Sequence, residues 1–396
     1  MGKNFRFASL LIGWLLISLP AYAKQTDYVL APVYFVTDRV PVKQNWRIQF
    51  RDYGQKIDSF SAGIKYVPVP VRDDIQKTWS ELEAKGWIDK AHFPSVTEKK
   101  KKSDSKSAAI EAAEKLSNYE QSDEEITRTL KKLPDNTEIV LYVHGFFNSF
   151  NDGTESAAEL TSFFKTPVVV YCWTTPKDEV RPNPVPTPLI KLPNLTPKIW
   201  QSYRESEVTH QHGQERFTAL LVSLDMNFPG RLIPVAHSMG SRLLDQALLC
   251  RYGYFELAPK EKRLKEVIFS NPDLDGRYFA THAERLCDQA EKVRVFFVAQ
   301  DGAMKVSKFL HGNHDRLGAP NPSISALIKR SDVSMIDMAK LGQGNLGTLG
   351  HTMPCWVLSN MHKYGTIDNE GRSYVKRTPN NDDKLIILEP VKGNTK

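Results

Sequence analysis

From Glu138 onward, the chain alternates short apolar runs with longer segments in which apolar residues recur at helical spacing. The apolar runs predict buried strands starting at Glu138 and spanning Val168–Trp173, Arg231–Ala236, Glu266–Ser270, Val293–Ala299 and Val333–Met338. The periodic segments predict helices over Tyr203–Leu224, Ser241–Cys250 and Tyr278–Ala290. Short apolar strands that alternate with helices indicate a mostly parallel sheet with helices on both faces.

The region before Glu138 has a different pattern. Two runs rich in valine and tyrosine, Tyr28–Thr37 and Gly63–Val71, predict antiparallel edge strands at the start of the sheet. Residues 72–135 are polar, with two helical patches, and Ser122 to Glu125 has the pattern of a capping box. A lysine-rich insertion is expected near residues 86–135, and its stretch Lys99–Ser107 is expected to be a mobile loop.

The first 23 residues have the pattern of a cleavable export signal. Lys3 and Arg6 precede the apolar run Phe7–Leu19, and Ala21-Tyr22-Ala23 is a typical cleavage site. The apolar run is short for a membrane span, which favours cleavage over an uncleaved anchor. The sequence therefore predicts a periplasmic or secreted protein with one domain over residues 24–396.

Net charge and cysteine content limit the partners and the redox chemistry. The net charge is +7, with an obvious basic run at Lys99–Lys102 that is expected to be solvated. This charge allows weak attraction to an anionic membrane surface, and no nucleic-acid motif accompanies it. Export would permit disulfides among the four cysteines, and Cys250–Cys287 is the preferred pair because consecutive helices of such a sheet tend to share a face.

The segment Leu232–Leu244 carries the strongest chemical signal. An apolar strand runs into Ala-His-Ser-Met-Gly, and a helix-forming segment follows directly. This is the strand–nucleophile–helix pattern of an elbow in which small residues two positions before and after the serine permit a tight turn. Ser238 is therefore the candidate nucleophile.

The apolar run from Glu138 ends in His144-Gly145, where a loop could donate hydrogen bonds to an oxyanion. In an α/β hydrolase, one donor comes from such a loop and the other from the residue after the nucleophile. The backbone N–H groups of Phe146 and Met239 are therefore the candidate donors. We expect His144 to order the loop rather than to act in catalysis.

Six motifs in order make the chain resemble a bacterial α/β-hydrolase family of esterase or lipase type that is largely uncharacterised. They are Thr37-Asp38-Arg39, His144-Gly145-Phe146, Ala236–Gly240, Pro272–Asp275, Leu310-His311-Gly312 with Arg316-Leu317-Gly318, and Leu349-Gly350-His351. The resemblance implies the α/β-hydrolase fold and a serine, acid and histidine triad. It implies little about the substrate, because function depends on the site and not on the fold.

The remaining triad members follow Ser238 in the order acid, then histidine. His351 lies on a late glycine-rich loop, which agrees with the last motif of the family. Asp301 follows the strand Val293–Ala299, where this fold most often has its acid, and the resemblance points to the same residue. Asp275, after the preceding strand, is the alternative, although Asp273 and Asp275 also suit the capping of the next helix.

Two other segments need interpretation. The segment Gly312-Asn313-His314-Asp315 resembles a metallophosphoesterase motif, but the other motifs of a two-metal site are not found, so loop ordering is the favoured interpretation. The proline-rich segment 176–197 is expected to form a semi-rigid rim beside the pocket.

These observations predict an exported serine hydrolase that cleaves small-molecule or lipid esters, with no cofactor and no metal. Peptidase, thioesterase and acyltransferase activities use the same triad and stay open, as does the oligomeric state. The alternative from another class is a catalytically weak binding or envelope-associated protein that retains the fold.

Overall fold

The computed structural model describes residues 28–44, 47–55, 60–70, 102–176, 197–255, 264–328, 333–341, 351–364, 374–377 and 385–390. The expected export signal at residues 1–23 lies outside the described residues. The same holds for almost all of the proline-rich segment 176–197 and for the part of the lysine-rich insertion before residue 102. Within the described part of the chain, no helix has the length and apolar character needed to cross a membrane.

The described strands are β1 Tyr28–Thr37, β2 Arg39–Gln44, β3 Arg47–Gln55, β4 Ser61–Pro70, β5 Asn118–Gln121, β6 Ile139–Val143, β7 Val168–Cys172, β8 Leu232–His237, β9 Val267–Ser270, β10 Val293–Phe297, β11 Val333–Asp337, β12 Tyr374–Arg377 and β13 Leu385–Pro390. The described helices are α1 Lys102–Leu116, α2 Asp123–Leu130, α3 Phe150–Phe164, α4 Pro197–Asn227, α5 Gly240–Phe255, α6 Gly276–Cys287, α7 Gly302–Leu310, α8 Pro322–Ile328 and α9 Cys355–Tyr364. A short 3-10 helix covers Ala339–Leu341.

Eleven of these strands form one sheet in the order β12-β13-β11-β10-β9-β8-β6-β7-β1-β4-β5, and β2 pairs with β3 in a separate hairpin. The eight neighbouring strands β13, β11, β10, β9, β8, β6, β7 and β1 run parallel to one another. The strands β4, β5 and β12 pair antiparallel with their neighbours. The expected mostly parallel α/β sheet with antiparallel strands at its N-terminal end is confirmed.

Helices cover both faces of this sheet because the central strands are apolar on both sides. Alternate residues of β6 and β7 enter two core clusters, so that Leu141 and Val169 belong to one cluster and Val140 and Val170 to the other. The first cluster includes buried residues of α2, α4, α5, α6 and α8, and the second includes those of α3 and α9. The helices pack on the two faces of the sheet, so the loops at the carboxyl ends of the parallel strands are the place where a functional site is expected.

The N-terminal strands depart from the expectation in their placement. β1 pairs antiparallel with β4, as expected, but it is an interior strand because its other edge pairs parallel with β7. The outer edge on this side belongs to β5, and the β2–β3 hairpin occupies part of the connection between β1 and β4. Neither β5 nor the hairpin was predicted, since short polar strands lack the apolar alternation on which such predictions depend.

The expectation of a loop over Lys99–Ser107 is wrong from Lys102 onward, because α1 begins there. Ala109 and Ala113, one turn apart, are buried against Leu30 of β1. This contact and the high helix propensity of alanine and lysine let the helix extend through the polar segment. The capping box at Ser122 is confirmed, because its side chain accepts from the N–H of Glu125 and the Glu125 carboxylate accepts from the N–H of Ser122.

The preferred disulfide between Cys250 and Cys287 is also wrong, since the structure contains both residues as thiols. Cys250 is exposed on α5, whereas Cys287, at the end of α6, is half-buried against the hydrophobic core. The two side chains therefore occupy different surroundings even though their helices are neighbours.

Candidate active site

Ser238 lies on the tight turn between β8 and α5. Its backbone φ is 53°, a value that residues other than glycine rarely adopt outside such turns. The turn leaves no room for side chains on two neighbouring glycines. A Cβ on Gly240 would lie 2.3 Å from the carbonyl oxygen of His144, and one on Gly145 would lie 2.8 Å from the Cβ of Ser238. The loop after β6 and the serine turn are therefore in direct contact.

His351 contacts both Ser238 and Asp301. Its Nε2 lies 2.7 Å from Oγ of Ser238, and its Nδ1 lies 2.6 Å from Oδ2 of Asp301. These residues come from three loops, after β8, after β10 and after β11, at the carboxyl edge of the sheet. The structure thus brings together the three residues that the sequence indicated, in the order of contacts that a nucleophile, a base and an acid require.

Asp301 is completely buried, and both of its oxygens are engaged. It is the N-cap of α7, where Oδ1 accepts from the N–H groups of Ala303 and Met304, and Oδ2 contacts His351. Burial by itself would lower the pKa of His351, but the charge and hydrogen bond of Asp301 outweigh it and raise this pKa above its ordinary value. The ion pair therefore favours a protonated imidazole, the form that a general base reaches after it takes a proton.

Two side chains that the sequence analysis missed hold the loop of His351. Nε2 of His237 lies 3.0 Å from the carbonyl oxygen of His351, and Nδ2 of Asn271 donates to the carbonyl of Thr352. Burial and the neighbouring His351 lower the pKa of His237 to about 3, so His237 is neutral and can donate its Nε2 hydrogen. The position of His237 directly before the serine was the one sign in the sequence that it lies at the site. Its partner could not be identified there, because His351 is 114 residues away in the chain.

The loop after β6 provides the candidate oxyanion donors. No described residue accepts a hydrogen bond from the N–H of Phe146 or of Met239. His144 orders this loop, as expected, since its ring nitrogen Nδ1 contacts the carbonyl of Gly145 at 2.9 Å. Burial and the charge of Arg39 lower the pKa of His144 to about 3, so the ring is neutral.

The motif Thr37-Asp38-Arg39 supports the same loop from the end of β1. Nη2 of Arg39 donates to the carbonyls of Asn148 and Trp173, which follow β6 and β7. Asp38 accepts from Oγ1 of Thr174 at 3.0 Å. These buried contacts join the carboxyl ends of three strands and keep the loop of Phe146 close to Ser238.

The remaining family motifs meet in a buried polar network beside the serine turn. Oδ2 of Asp273 accepts from Arg242 and from the Tyr203 hydroxyl, and Oδ1 accepts from Arg316 and Ser307. Burial by itself would raise the pKa of Asp273, but the charges of Arg242 and Arg316 outweigh it and hold this pKa well below its ordinary value. The N–H of Asp273 donates to the carbonyl of Ser238, so the network also restrains the serine turn.

The alternative acid Asp275 and the segment that resembles a metal-binding motif, Gly312-Asn313-His314-Asp315, make contacts other than those with Ser238 and His351. Asp275 caps α6 through the N–H groups of Arg277 and Tyr278, and its other oxygen contacts Nδ1 of His314. Asp315 pairs with Lys308. Among the residues that the structure describes, no group of three or more histidine, cysteine, aspartate or glutamate side chains is arranged to hold a metal ion.

A mostly parallel sheet covered by helices on both faces, with a serine on the turn after a central strand, defines an α/β hydrolase. The chain belongs to the family of alpha/beta hydrolases of unknown function (DUF900), whose model matches residues 118–355. This match contains Ser238, Asp301 and His351, and it supports a hydrolase in general. A comparison with curated proteins gives no match.

Proposed function

We propose that this protein is an exported serine hydrolase that cleaves carboxylic esters. The observation that carries the proposal is the chain of contacts from Ser238 Oγ to His351 Nε2 at 2.7 Å and from His351 Nδ1 to Asp301 Oδ2 at 2.6 Å. Export rests on the pattern of the first 23 residues.

In the proposed reaction, Ser238 Oγ attacks the acyl carbon while His351 Nε2 accepts its proton. Asp301 holds the imidazole through Nδ1 and stabilises its charged form. The negative oxygen of the tetrahedral intermediate accepts hydrogen bonds from the N–H groups of Phe146 and Met239. His351 then protonates the leaving alcohol, and water, activated by the same histidine, cleaves the acyl–enzyme.

Aromatic side chains beside the oxyanion donors favour an apolar acyl group. The Phe146 ring lies 5.4 Å from the Phe147 ring and 5.3 Å from the Tyr203 ring, measured between centroids. These three rings form an aromatic wall beside a candidate oxyanion donor, and apolar surface at this place suits an apolar acyl group.

The test of the proposed function is covalent labelling with a fluorophosphonate, together with hydrolysis of p-nitrophenyl esters of increasing chain length. We expect labelling and hydrolysis in the wild type and neither in Ser238→Ala, with unchanged circular dichroism. Ser241→Ala, three residues further on, is the matched control and should retain both signals. A labelled Ser238→Ala variant would contradict the role of Ser238, and an unlabelled wild type would favour a binding protein that retains the fold.

A further inference from the structure

The first turns of α4 carry buried polar atoms that the proposed mechanism does not use. Ser202, Glu205 and Ser206 are 1%, 7% and 0% exposed. The hydroxyls of Ser202 and Ser206 and the carboxylate oxygen Oε2 of Glu205 have no hydrogen-bond partner among the described residues. Burying a carboxylate oxygen and two hydroxyls without partners is unfavourable, so a native protein needs a reason to retain them.

The three side chains point to one side of the helix, because they are spaced at i, i+3 and i+4. Nε2 of Gln201 donates to the other carboxylate oxygen of Glu205, Oε1, at 3.2 Å. This contact orients the carboxylate and leaves Oε2 available. We call Ser202, Glu205 and Ser206 the polar stripe of α4.

Contacts on either side of the polar stripe locate it near the reacting groups. The ring of Tyr203 contacts Phe146, the residue with a candidate oxyanion donor. One turn after Glu205, Oγ1 of Thr209 donates to the carbonyl of Thr174 in the loop after β7. The next residue of that loop, Thr175, donates to the carbonyl of Asn148, two residues after Phe146. Thr209 lies on the same side of α4 as Glu205 and Ser206, so the polar stripe is on the side of the helix that meets the loop after β7, and that loop in turn contacts the loop after β6.

The chemistry of the polar stripe selects its ligand. A carboxylate oxygen only accepts hydrogen bonds when ionised, whereas serine hydroxyls donate and accept. A substrate hydroxyl can satisfy all three atoms, because it donates to Oε2 of Glu205 and accepts from the two serines, and a protonated amine can donate to Oε2. An apolar or anionic group would leave Oε2 of Glu205 buried without a partner.

We propose that the polar stripe of α4 is a substrate subsite that binds a hydrogen-bond donor of the ester, a hydroxyl or a protonated amine. The inference rests on the proposed function, because it assigns the polar part of the substrate of the same site. The aromatic wall around Phe146 would then contact the apolar part, so the preferred substrate is an ester with one apolar and one donor-bearing portion.

The test compares kcat/KM for four esters of similar size. Ethyl butyrate carries no donor, ethyl 3-hydroxybutyrate carries a hydroxyl on the acyl side, glycerol monobutyrate carries hydroxyls on the alcohol side, and 2-(dimethylamino)ethyl butyrate carries a cationic N–H donor. The variants are Glu205→Gln, which retains the shape, and the double variant Ser202→Ala/Ser206→Ala. Glu215→Gln, on the exposed side of the same helix, is the matched control.

We expect both variants to lower kcat/KM for at least one donor-bearing ester by about tenfold or more, and for ethyl butyrate by less than about twofold. The ester that loses most identifies the donor and the side of the ester that carries it. Glu215→Gln should match the wild type with all four esters. Thermal unfolding of each variant checks that the fold is retained.

An equal change for all four esters, or no change, would overturn the subsite while wild-type labelling and hydrolysis of ethyl butyrate leave the proposed function intact. Higher thermal stability of the variants with unchanged selectivity would identify the polar stripe as buried groups without a ligand. A wild type that is neither labelled nor active with any ester would overturn the proposed function and the subsite with it.

Discussion

Asp301 uses each of its carboxylate oxygens for a different purpose. Oδ1 caps α7, and Oδ2 contacts His351 at 2.6 Å. The cap restrains the carboxylate, so its orientation towards the histidine does not depend on side-chain freedom in the cleft. Asp275 has the same capping arrangement on α6, but its second oxygen contacts His314 on the exposed surface. The two aspartates are therefore a natural pair for comparison.

Asp301→Asn should lower turnover of a p-nitrophenyl ester by about 10³- to 10⁴-fold, because the amide holds the wrong tautomer of His351. The amide oxygen can still cap α7, so the fold should survive. Asp275→Asn should leave turnover nearly unchanged and mainly lower the thermal stability, by less than about 1 kcal/mol, because the amide can still cap α6 and only the charge beside the exposed His314 is lost. Steady-state kinetics and thermal unfolding of both variants check this, and the reverse pattern would move the acid to Asp275.

The pH dependence of hydrolysis should reflect His351. A general base must be unprotonated, and Asp301 raises the pKa of His351 above its ordinary value of 6.5. We therefore expect kcat/KM to fall as the pH decreases through a value above 6.5. Asp301→Asn should shift the midpoint of the remaining activity to lower pH. A pH profile of kcat/KM measures both, and an acid limb below pH 6 in the wild type would contradict the expectation.

At the scale of elements, the serine turn joins β8 to α5 against the end of β6. A Cβ on Gly240 would lie 2.3 Å and 2.8 Å from the carbonyl oxygens of His144 and Val143. Both are backbone atoms of a central strand and its loop, so they cannot move aside as a flexible side chain would. The geometry of Ser238 thus depends on how closely two elements approach.

Gly240→Ala should therefore destabilise the protein by about 1–3 kcal/mol or more and also displace Ser238. Chemical denaturation and the rate of fluorophosphonate labelling measure the two effects. Ser241→Ala is the control at the next position, because the Ser241 hydroxyl is buried without a partner among the described residues and its removal should be nearly neutral. Full stability and labelling of Gly240→Ala would contradict the close contact.

At the scale of the whole molecule, His362 connects α9 to the amino ends of the parallel strands, which lie opposite the carboxyl ends that carry the candidate site. Nδ1 of His362 lies 2.5 Å from Glu266, before β9, and Nε2 lies 2.9 Å from Glu138, before β6. Glu266 also pairs with Arg294 of β10 at 2.7 Å. Burial by itself would lower the pKa of His362, but the two carboxylates outweigh it and raise this pKa to about 9. Because α9 follows His351 closely, this contact also anchors the loop of the candidate base.

This pair of contacts should make stability depend on pH. The pKa of His362 is higher in the folded state than in the unfolded chain. Its contacts therefore contribute fully to the free energy of unfolding below the ordinary pKa of 6.5, and this contribution disappears as the pH rises through about 9. We expect a loss of up to about 3 kcal/mol between these limits. Denaturation at pH 6 and at pH 9.5 measures it, and His362→Gln should be less stable at pH 6 and nearly insensitive over the range. An equal pH dependence in both proteins would contradict this origin.

The sequence by itself was sufficient for the features that depend on neighbouring residues. The apolar runs from Glu138 onward predicted the central strands, and the order of motifs indicated Ser238, Asp301 and His351, which the structure brings within hydrogen-bonding distance. The capping box at Ser122 is also local, and it too could be read from four residues.

Only the tertiary structure decided the features that depend on contacts between distant segments. β1 is an interior strand because β7 pairs with its free edge, and α1 extends through a lysine-rich stretch because alanines on it pack against β1. Distant segments also form the contact of His237 with His351 and the network around Asp273, and they bury the polar stripe of α4. No local pattern in the sequence relates these residues. Periodicity in a sequence determines which face of an element is apolar, whereas the identity of its neighbours depends on how the whole chain packs.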